Sequence, residues 1–176
     1  MASIITHSLV GLSVALLLPK EKRTSALLIA ATIAPSLPDL DGIGFHLGVP
    51  YDSFWGHRGF FHSFLFSVLL GSVIAGLIQK RTKYPFLWLS VFFSCLISTH
   101  GLLDAMTTGG LGVALFSPFD NDRIFLPWRI IKVSPMSISR FFSSWGWRVL
   151  ESEILYVWLP LGALLVANRW RKRRFS

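Results

Sequence analysis

Apolar residues in this chain gather in five runs, at roughly 2–18, 24–37, 60–79, 85–106 and 152–169. Runs of this length and apolarity predict helices that stand in lipid rather than amphipathic helices on a soluble core. The predicted fold is therefore an all-α, polytopic membrane bundle of about five helices, forming a single domain over residues 1–176. The second run is short: 14 residues at 1.5 Å each reach about 21 Å, against a hydrocarbon core of about 30 Å. Its polar end must lie below the lipid surface, or the membrane must thin there, and either suits a recessed site. The first run has no basic residue before it and is followed by Pro19-Lys-Glu-Lys-Arg23 rather than a small-residue cleavage site, so it reads as a retained helix and not as a signal peptide. Between the last two runs, Gly109 to Trp147 is too polar to cross and too aromatic for a free linker. Phe116 to Phe119 and Ile124 to Val133 flank the turn-like Asp120-Asn121-Asp122 and predict a short hairpin. Ser139 to Trp147 predicts an interfacial segment with Phe141, Phe142, Trp145 and Trp147 in the aromatic belt.

Charge then orients the bundle. The chain carries 17 Lys and Arg against 9 Asp and Glu, a surplus that on a soluble face would suggest nucleic acid. These basic residues are clumped instead: Lys20, Lys22 and Arg23; Lys80, Arg81 and Lys83; Arg169, Arg171, Lys172, Arg173 and Arg174, each cluster directly after an apolar run. With five spans all three clusters share one side, together with the single acid Glu21, while the other side receives the remaining basic residues and the other acids. The positive-inside rule puts that first side, and the C-terminus, in the cytoplasm and the N-terminus outside. Membrane lipid rather than nucleic acid is the expected partner. The lone Cys95 excludes an intramolecular disulfide and a Cys-x-x-Cys zinc site, so any metal must be held by His and carboxylates.

Candidate ligands pool at the outer side. His7 opens the first run; Asp39 and Asp41 leave the second; His57 and His62 sit before the third in Gly56-His-Arg-Gly-Phe-Phe-His-Ser63; His100 and Asp104 lie near the end of the fourth; Glu151 opens the fifth. His100 and Asp104, four apart, share one helical face, and His100 lies about 9 Å inside its helix end. Ionisable groups at such depth are costly and mark function, and a divalent cation would neutralise the carboxylate while using a neutral imidazole. Nitrogen and oxygen donors favour zinc first, with manganese or magnesium behind it. Arg58 is placed to face a phosphate or another anion. No Gly-x-Ser-x-Gly elbow, P-loop or His-Glu-x-x-His occurs, which leaves serine hydrolase, nucleotide hydrolase and ordinary metalloprotease chemistry without residues.

In combination, Leu37-Pro-Asp-Leu-Asp41, Gly56-His-Arg-Gly-Phe-Phe-His-Ser63 and His100-Gly-Leu-Leu-Asp104, followed by Thr107, Thr108 and Gly109, resemble a bacterial family of inner-membrane-associated metal-dependent hydrolases, sometimes described as LexA-binding. More distantly, the His-x3-Asp element is similar to the zinc-dependent phospholipase C and single-strand nuclease superfamily, an all-helical group that cleaves phosphoesters at a multinuclear zinc centre. The resemblance implies His7, Asp39, His57 or His62, His100 and Asp104 as ligands, with Glu151 a less close match. The soluble enzymes carry further His ligands downstream, and this chain has no His after His100. The function expected is hydrolysis of a phosphoester of a lipid or lipid-linked molecule at the outer face of a bacterial inner membrane, with Asp41 or Glu151 accepting the proton and Arg58 stabilising developing charge. Two rivals are a small transporter, for which the inner halves of the runs offer little beyond Ser13, Ser67 and Ser72, and a non-catalytic scaffold or regulator that uses metal for stability.

Overall fold

The computed structural model describes residues 1–174; the last two residues of the expected 1–176 domain lie outside the described residues. The fold is all-helical. Four helical stretches are long and apolar enough to cross a membrane, Ser25–Leu47, Phe64–Arg81, Phe86–Ala105 and Ser144–Arg174, and a shorter apolar helix, Ile4–Leu17, accompanies them. Helix α1 is Ile4–Leu17, α2 Ser25–Ile33, α3 Phe64–Ile78, α4 Phe86–Ala105, α5 Ile138–Phe141, α6 Ser144–Glu153 and α7 Leu159–Arg174, with α6 and α7 joined through a π-helical turn, Ile154–Trp158.

Local chemistry sets the helix starts. Ser3, Thr24, Ser63 and Ser143 each use a side-chain oxygen to accept a backbone N–H of the first turn of α1, α2, α3 and α6, satisfying donors that have no partner within the helix. Helix α2 ends early because Pro35 and Pro38 supply no N–H to the carbonyls four residues back. The chain continues as 3-10 turns through Ala34–Leu47, ended by Gly48 in the left-handed region at φ 75°. The second span therefore runs on to Leu47 rather than stopping at 37. The last begins at Ser144, before the 152 expected from apolarity.

Helices α1 to α4 pack as two antiparallel pairs around Leu27, Ala31, Ala75, Leu89, Phe93, Leu96 and Ile97, all buried. Close approach of α1 and α2 depends on Gly11, where a Cβ would sit 1.9 Å from the Ala31 carbonyl oxygen, the small-residue contact typical of helices in lipid. Outward-facing Leu69, Val73, Leu77, Leu87, Val91, Leu159 and Val166 remain exposed, as a lipid-facing surface requires.

The expected hairpin between α4 and α5 does not form as a ladder. Among the described residues this stretch makes single bridges only, Val113 with Ile124 antiparallel and Thr107 with Ile131 parallel. Its backbone groups pair with helix ends and the 51–63 loop: Leu126 N–H donates to Ala105, Ile131 to Met106, Ala114 to Arg58, and Phe64 to Leu115. A segment whose donors are consumed by neighbours has none left for a second strand.

Alternating helix directions place the two kinds of charge at opposite ends. Lys83 reaches the Glu21 carbonyl and Lys172 the Leu17 carbonyl, so the three basic clusters meet at one end. The starts of α1 and α3 and the ends of α2 and α4 meet at the other.

Candidate metal centre

At that second end the polar side chains converge. His7 comes from the second turn of α1, Asp39 and Asp41 from the proline-broken end of the second span, His57 and His62 from the loop and 3-10 turn before α3, and His100 and Asp104 from the last turns of α4. Gly101 permits the meeting of α4 with the 60–62 turn, since a Cβ there would lie 2.6 Å from the His62 carbonyl oxygen.

The separations are informative. His7 Nε2 lies 3.5 Å from Asp104 Oδ1, and His62 Nε2 and His100 Nε2 lie 3.7 and 3.9 Å from Asp104 Oδ2. Asp39 Oδ1 is 3.6 Å from His62 Nε2 and 3.5 Å from His100 Nε2. These gaps exceed the ordinary N–H···O range, and His7 Nε2, His62 Nε2, His100 Nε2, Asp104 Oδ2 and both Asp39 oxygens are buried with no hydrogen-bond partner. Two donors held at about 2.1 Å from one tetrahedral ion stand about 3.4 Å apart. The side chains thus keep ligand spacing, not hydrogen-bond spacing. Leaving several such groups buried and unpaired would cost kcal/mol each, and a divalent cation offsets that cost.

Two of the remaining ring nitrogens are hydrogen-bonded, whereas His7 Nδ1 and His62 Nδ1 have no hydrogen-bond partner. His57 Nδ1 donates to Asp41 Oδ1 at 2.7 Å, and His100 Nδ1 donates to the Pro35 carbonyl at 2.7 Å. His62 Nδ1 faces Asp41 Oδ2 at 3.2 Å. Each arrangement directs Nε2 inward as the lone-pair nitrogen, as second-shell acceptors do for metal-ligating histidines. Two donor sets result, Asp39 with His57, His62 and Asp104, and His7 with Asp39 and His100; within each set the ligand atoms lie within 4.8 Å of one another. This cluster can hold a metal ion, and the residues present fit one.

Arg58 closes the centre from beneath. Its side chain is fully buried; Nη1 donates to the Gly109 carbonyl at 2.8 Å, Nη2 to Thr107 Oγ1 at 3.0 Å, and Nε stands 3.4 Å from Asp104 Oδ2. Its backbone is left-handed, φ 65°, a conformation costly for a residue with a Cβ and characteristic of functional sites. Its own N–H donates to Asp41 Oδ2 at 3.3 Å.

The structure thus brings together His7, Asp39, Asp41, His57, Arg58, His62, His100 and Asp104. It does not bring in Glu151, whose side chain is exposed on α6. The buried acid of that helix is Glu153, which accepts from both the backbone N–H and the hydroxyl of Ser3 and so anchors the start of α1, one turn before His7. Asp41, read from sequence as a proton acceptor, has both oxygens engaged by His57, His62 and the Arg58 N–H. His46 is exposed and away from the cluster.

Three contributors carry no chemical signature in the sequence. The Pro35 carbonyl is freed because the helix breaks there. Arg123 donates to the carbonyls of Tyr51, Ser53 and His57 and so fixes the loop that presents His57. Tyr51 packs edge-on against His57, and burial raises its phenol above the ordinary range. Glu153 had one available signal: Gly146, Val149, Ser152 and Glu153 share one helical face and all are buried.

Comparison with known proteins agrees with the membrane architecture. The sequence profile of the YdjM inner membrane protein family matches residues 1–175. The inner membrane protein YbcI of Escherichia coli (strain K12) is 41% identical over 176 residues, covering 99% of this chain and 100% of that protein. No solved structure matches the chain. Neither match carries a link to metal-dependent hydrolases or to phospholipase C. A multi-pass helical protein with a buried His and Asp cluster at one end of its bundle, this chain belongs to the YdjM inner membrane protein family.

Proposed function

We propose that this protein is a metal-dependent hydrolase whose site faces outward from the inner membrane and acts on a phosphoester of a lipid or lipid-linked molecule. The observation that carries the reading is the convergence of unpaired Nε2 and carboxylate atoms, at ligand spacing, in two donor sets that share Asp39 at one end of the bundle. The three basic clusters lie at the opposite end, and the positive-inside rule makes that end cytoplasmic, with the N-terminus outside and the C-terminus inside.

In this reading Asp39 and Asp104 are the anionic ligands and His7, His57, His62 and His100 the neutral ones, for zinc in the first instance. Bound there, the metal supplies Lewis acidity and makes a water more acidic. Asp41 sets the tautomers of His57 and His62. In hydrolysis the water oxygen bonds to phosphorus, the phosphorus–alkoxy bond breaks, and the leaving alkoxide takes up a proton. The proton released by water passes to the carboxylate oxygen of Asp39 that is not a ligand, Asp39 being the one carboxylate of the three in the cluster with exposed side-chain surface, 8%, and from there to the leaving alkoxide. Arg58, with Nε unpaired and two donors committed, holds its positive charge against the phosphoryl oxygens as they gain charge.

Elemental analysis of the purified protein, followed by a phosphatase and phospholipase panel with metal restored, tests the reading. Arg58→Ala should keep metal yet lower turnover by about 10²- to 10³-fold, the loss typical of one such donor. His57→Ala should lose metal and activity together. A metal-replete protein inactive on every phosphoester tried would favour a non-catalytic, metal-stabilised scaffold.

A further inference from the structure

Beside the metal centre lies a cavity of about 420 Å³ that none of the ligands requires. The 51–58 loop contributes Tyr51, His57 and Arg58 to its wall, and the segment leading into α6 contributes Met136, Arg140 and Trp145. The cavity therefore touches the centre through His57 and Arg58 and touches the interfacial segment through the other three. Phe142 is 85% exposed and Trp147 62% exposed on that segment, aromatic side chains of the kind that settle at the headgroup level of a bilayer. Trp145 Nε1 donates to the Val133 carbonyl, which ties the start of α6 to the cavity wall and holds the segment in place.

Two features of the wall select the occupant. Its lining is mostly apolar, which suits an amphiphile rather than a free ion. Arg140 is an exposed guanidinium with no side-chain hydrogen bond or ion pair to any described residue, whereas Arg58 and Arg123 are both engaged. Size narrows the choice further. At about 30 Å³ per water-sized group the cavity of about 420 Å³ has room for about 14 such groups, enough for a phosphorylated glycerol.

Building on the proposed lipid phosphoesterase, we infer that this cavity is the headgroup subsite of that centre: it takes the phosphorylated glycerol of a glycerophospholipid. Arg140 pairs with the phosphate as the lipid enters, and Met136 and Trp145 contact the glycerol and the first methylenes. The acyl chains stay in the bilayer, beside the exposed aromatics. Arg140 is a specificity residue here and not a metal ligand, so its replacement leaves the centre loaded.

The test uses the full-length protein in a neutral detergent, with metal content measured in every sample and binding measured at a temperature low enough that the probe is unchanged over the measurement. The probes are dihexanoyl phosphatidic acid, glycerol 3-phosphate, inorganic phosphate and dihexanoyl glycerol. Dihexanoyl phosphatidic acid should bind most tightly. Arg140→Gln should weaken it by about 10-fold, the loss expected for one charge-assisted hydrogen bond, and Arg140→Glu by more. Arg140→Lys should recover most of the affinity, and metal content should not change in any of the three. Equal affinity in Arg140→Gln and its parent overturns the subsite. Glycerol 3-phosphate or inorganic phosphate binding as tightly as the lipid overturns the lipid assignment. If the parent holds no metal, the hydrolase reading falls, while the Arg140 series still decides the subsite.

Discussion

Asp41 separates two roles that a carboxylate beside a metal can play. As a proton acceptor it would matter to turnover alone; as the acceptor that orients His57 and His62 it must matter to metal affinity. Its oxygens lie 2.7 Å from His57 Nδ1, 3.2 Å from His62 Nδ1 and 3.3 Å from the Arg58 nitrogen, and its side chain is fully buried. Asp41→Asn keeps the shape, removes the charge that makes both imidazoles better donors, and puts an amide N–H against at least one of them. Loss of a single orienting partner lowers metal affinity by about 10- to 100-fold. At a zinc concentration 100 times the parent's dissociation constant, binding stabilises the fold by about 2.7 kcal/mol. The variant would retain about 1.4 kcal/mol at a 10-fold loss and about 0.4 kcal/mol at a 100-fold loss. The zinc-dependent rise in melting temperature should then shrink by about 3–9 °C for a chain of this size. Thermal unfolding followed by tryptophan fluorescence in detergent, with and without zinc, reads this directly, and a chelator competition gives the affinity. An Asp41→Asn protein with parental zinc affinity and no turnover would refute the orienting role and return Asp41 to the part of proton acceptor.

Other substitutions test the remaining parts of the structure. Asp104→Ala removes a carboxylate that faces His7, His62, His100 and Arg58 and should empty the centre by elemental analysis, whereas His46→Ala should leave metal content unchanged. Glu153→Ala strips two partners from Ser3 and should destabilise the protein by about 3 kcal/mol, while exposed Glu151→Ala should stay within about 0.5 kcal/mol of the parent; denaturant titration distinguishes them. In a Cys95→Ser background, Asn121→Cys should react with an impermeant thiol reagent from outside the cell and Thr82→Cys only after permeabilisation; labelling of both from the same side would refute the alternating five-helix topology.

Much of the architecture is legible along the chain because hydropathy and charge add up locally. The five apolar runs mark the helices, and Lys20 to Arg23, Lys80 to Lys83 and Arg169 to Arg174 mark one end of each. His7, Asp39, His62, His100 and Asp104 necessarily pool at the other end once the runs alternate in direction. Spacing alone puts His100 and Asp104 on one face. Apolarity misplaces the helix ends at 37 and 152, where the backbone itself decides: the two prolines turn α2 into 3-10 turns, and Ser143 caps a helix whose start mixes Ser144, Gly146 and Arg148 with Trp145 and Trp147. What each polar atom does, by contrast, depends on partners far away in sequence. His100 Nδ1 is fixed by a carbonyl 65 residues earlier, Asp104 accepts from the Ala2 N–H across 102 residues, and Glu153 holds Ser3 across 150. No pattern along the chain encodes a tautomer, or says that Asp41 faces two imidazoles while Glu151 faces out. Those are properties of side-chain direction in a packed bundle, where a shift of two residues along α6 turns the side chain by about 200° and exchanges solvent for the buried start of α1.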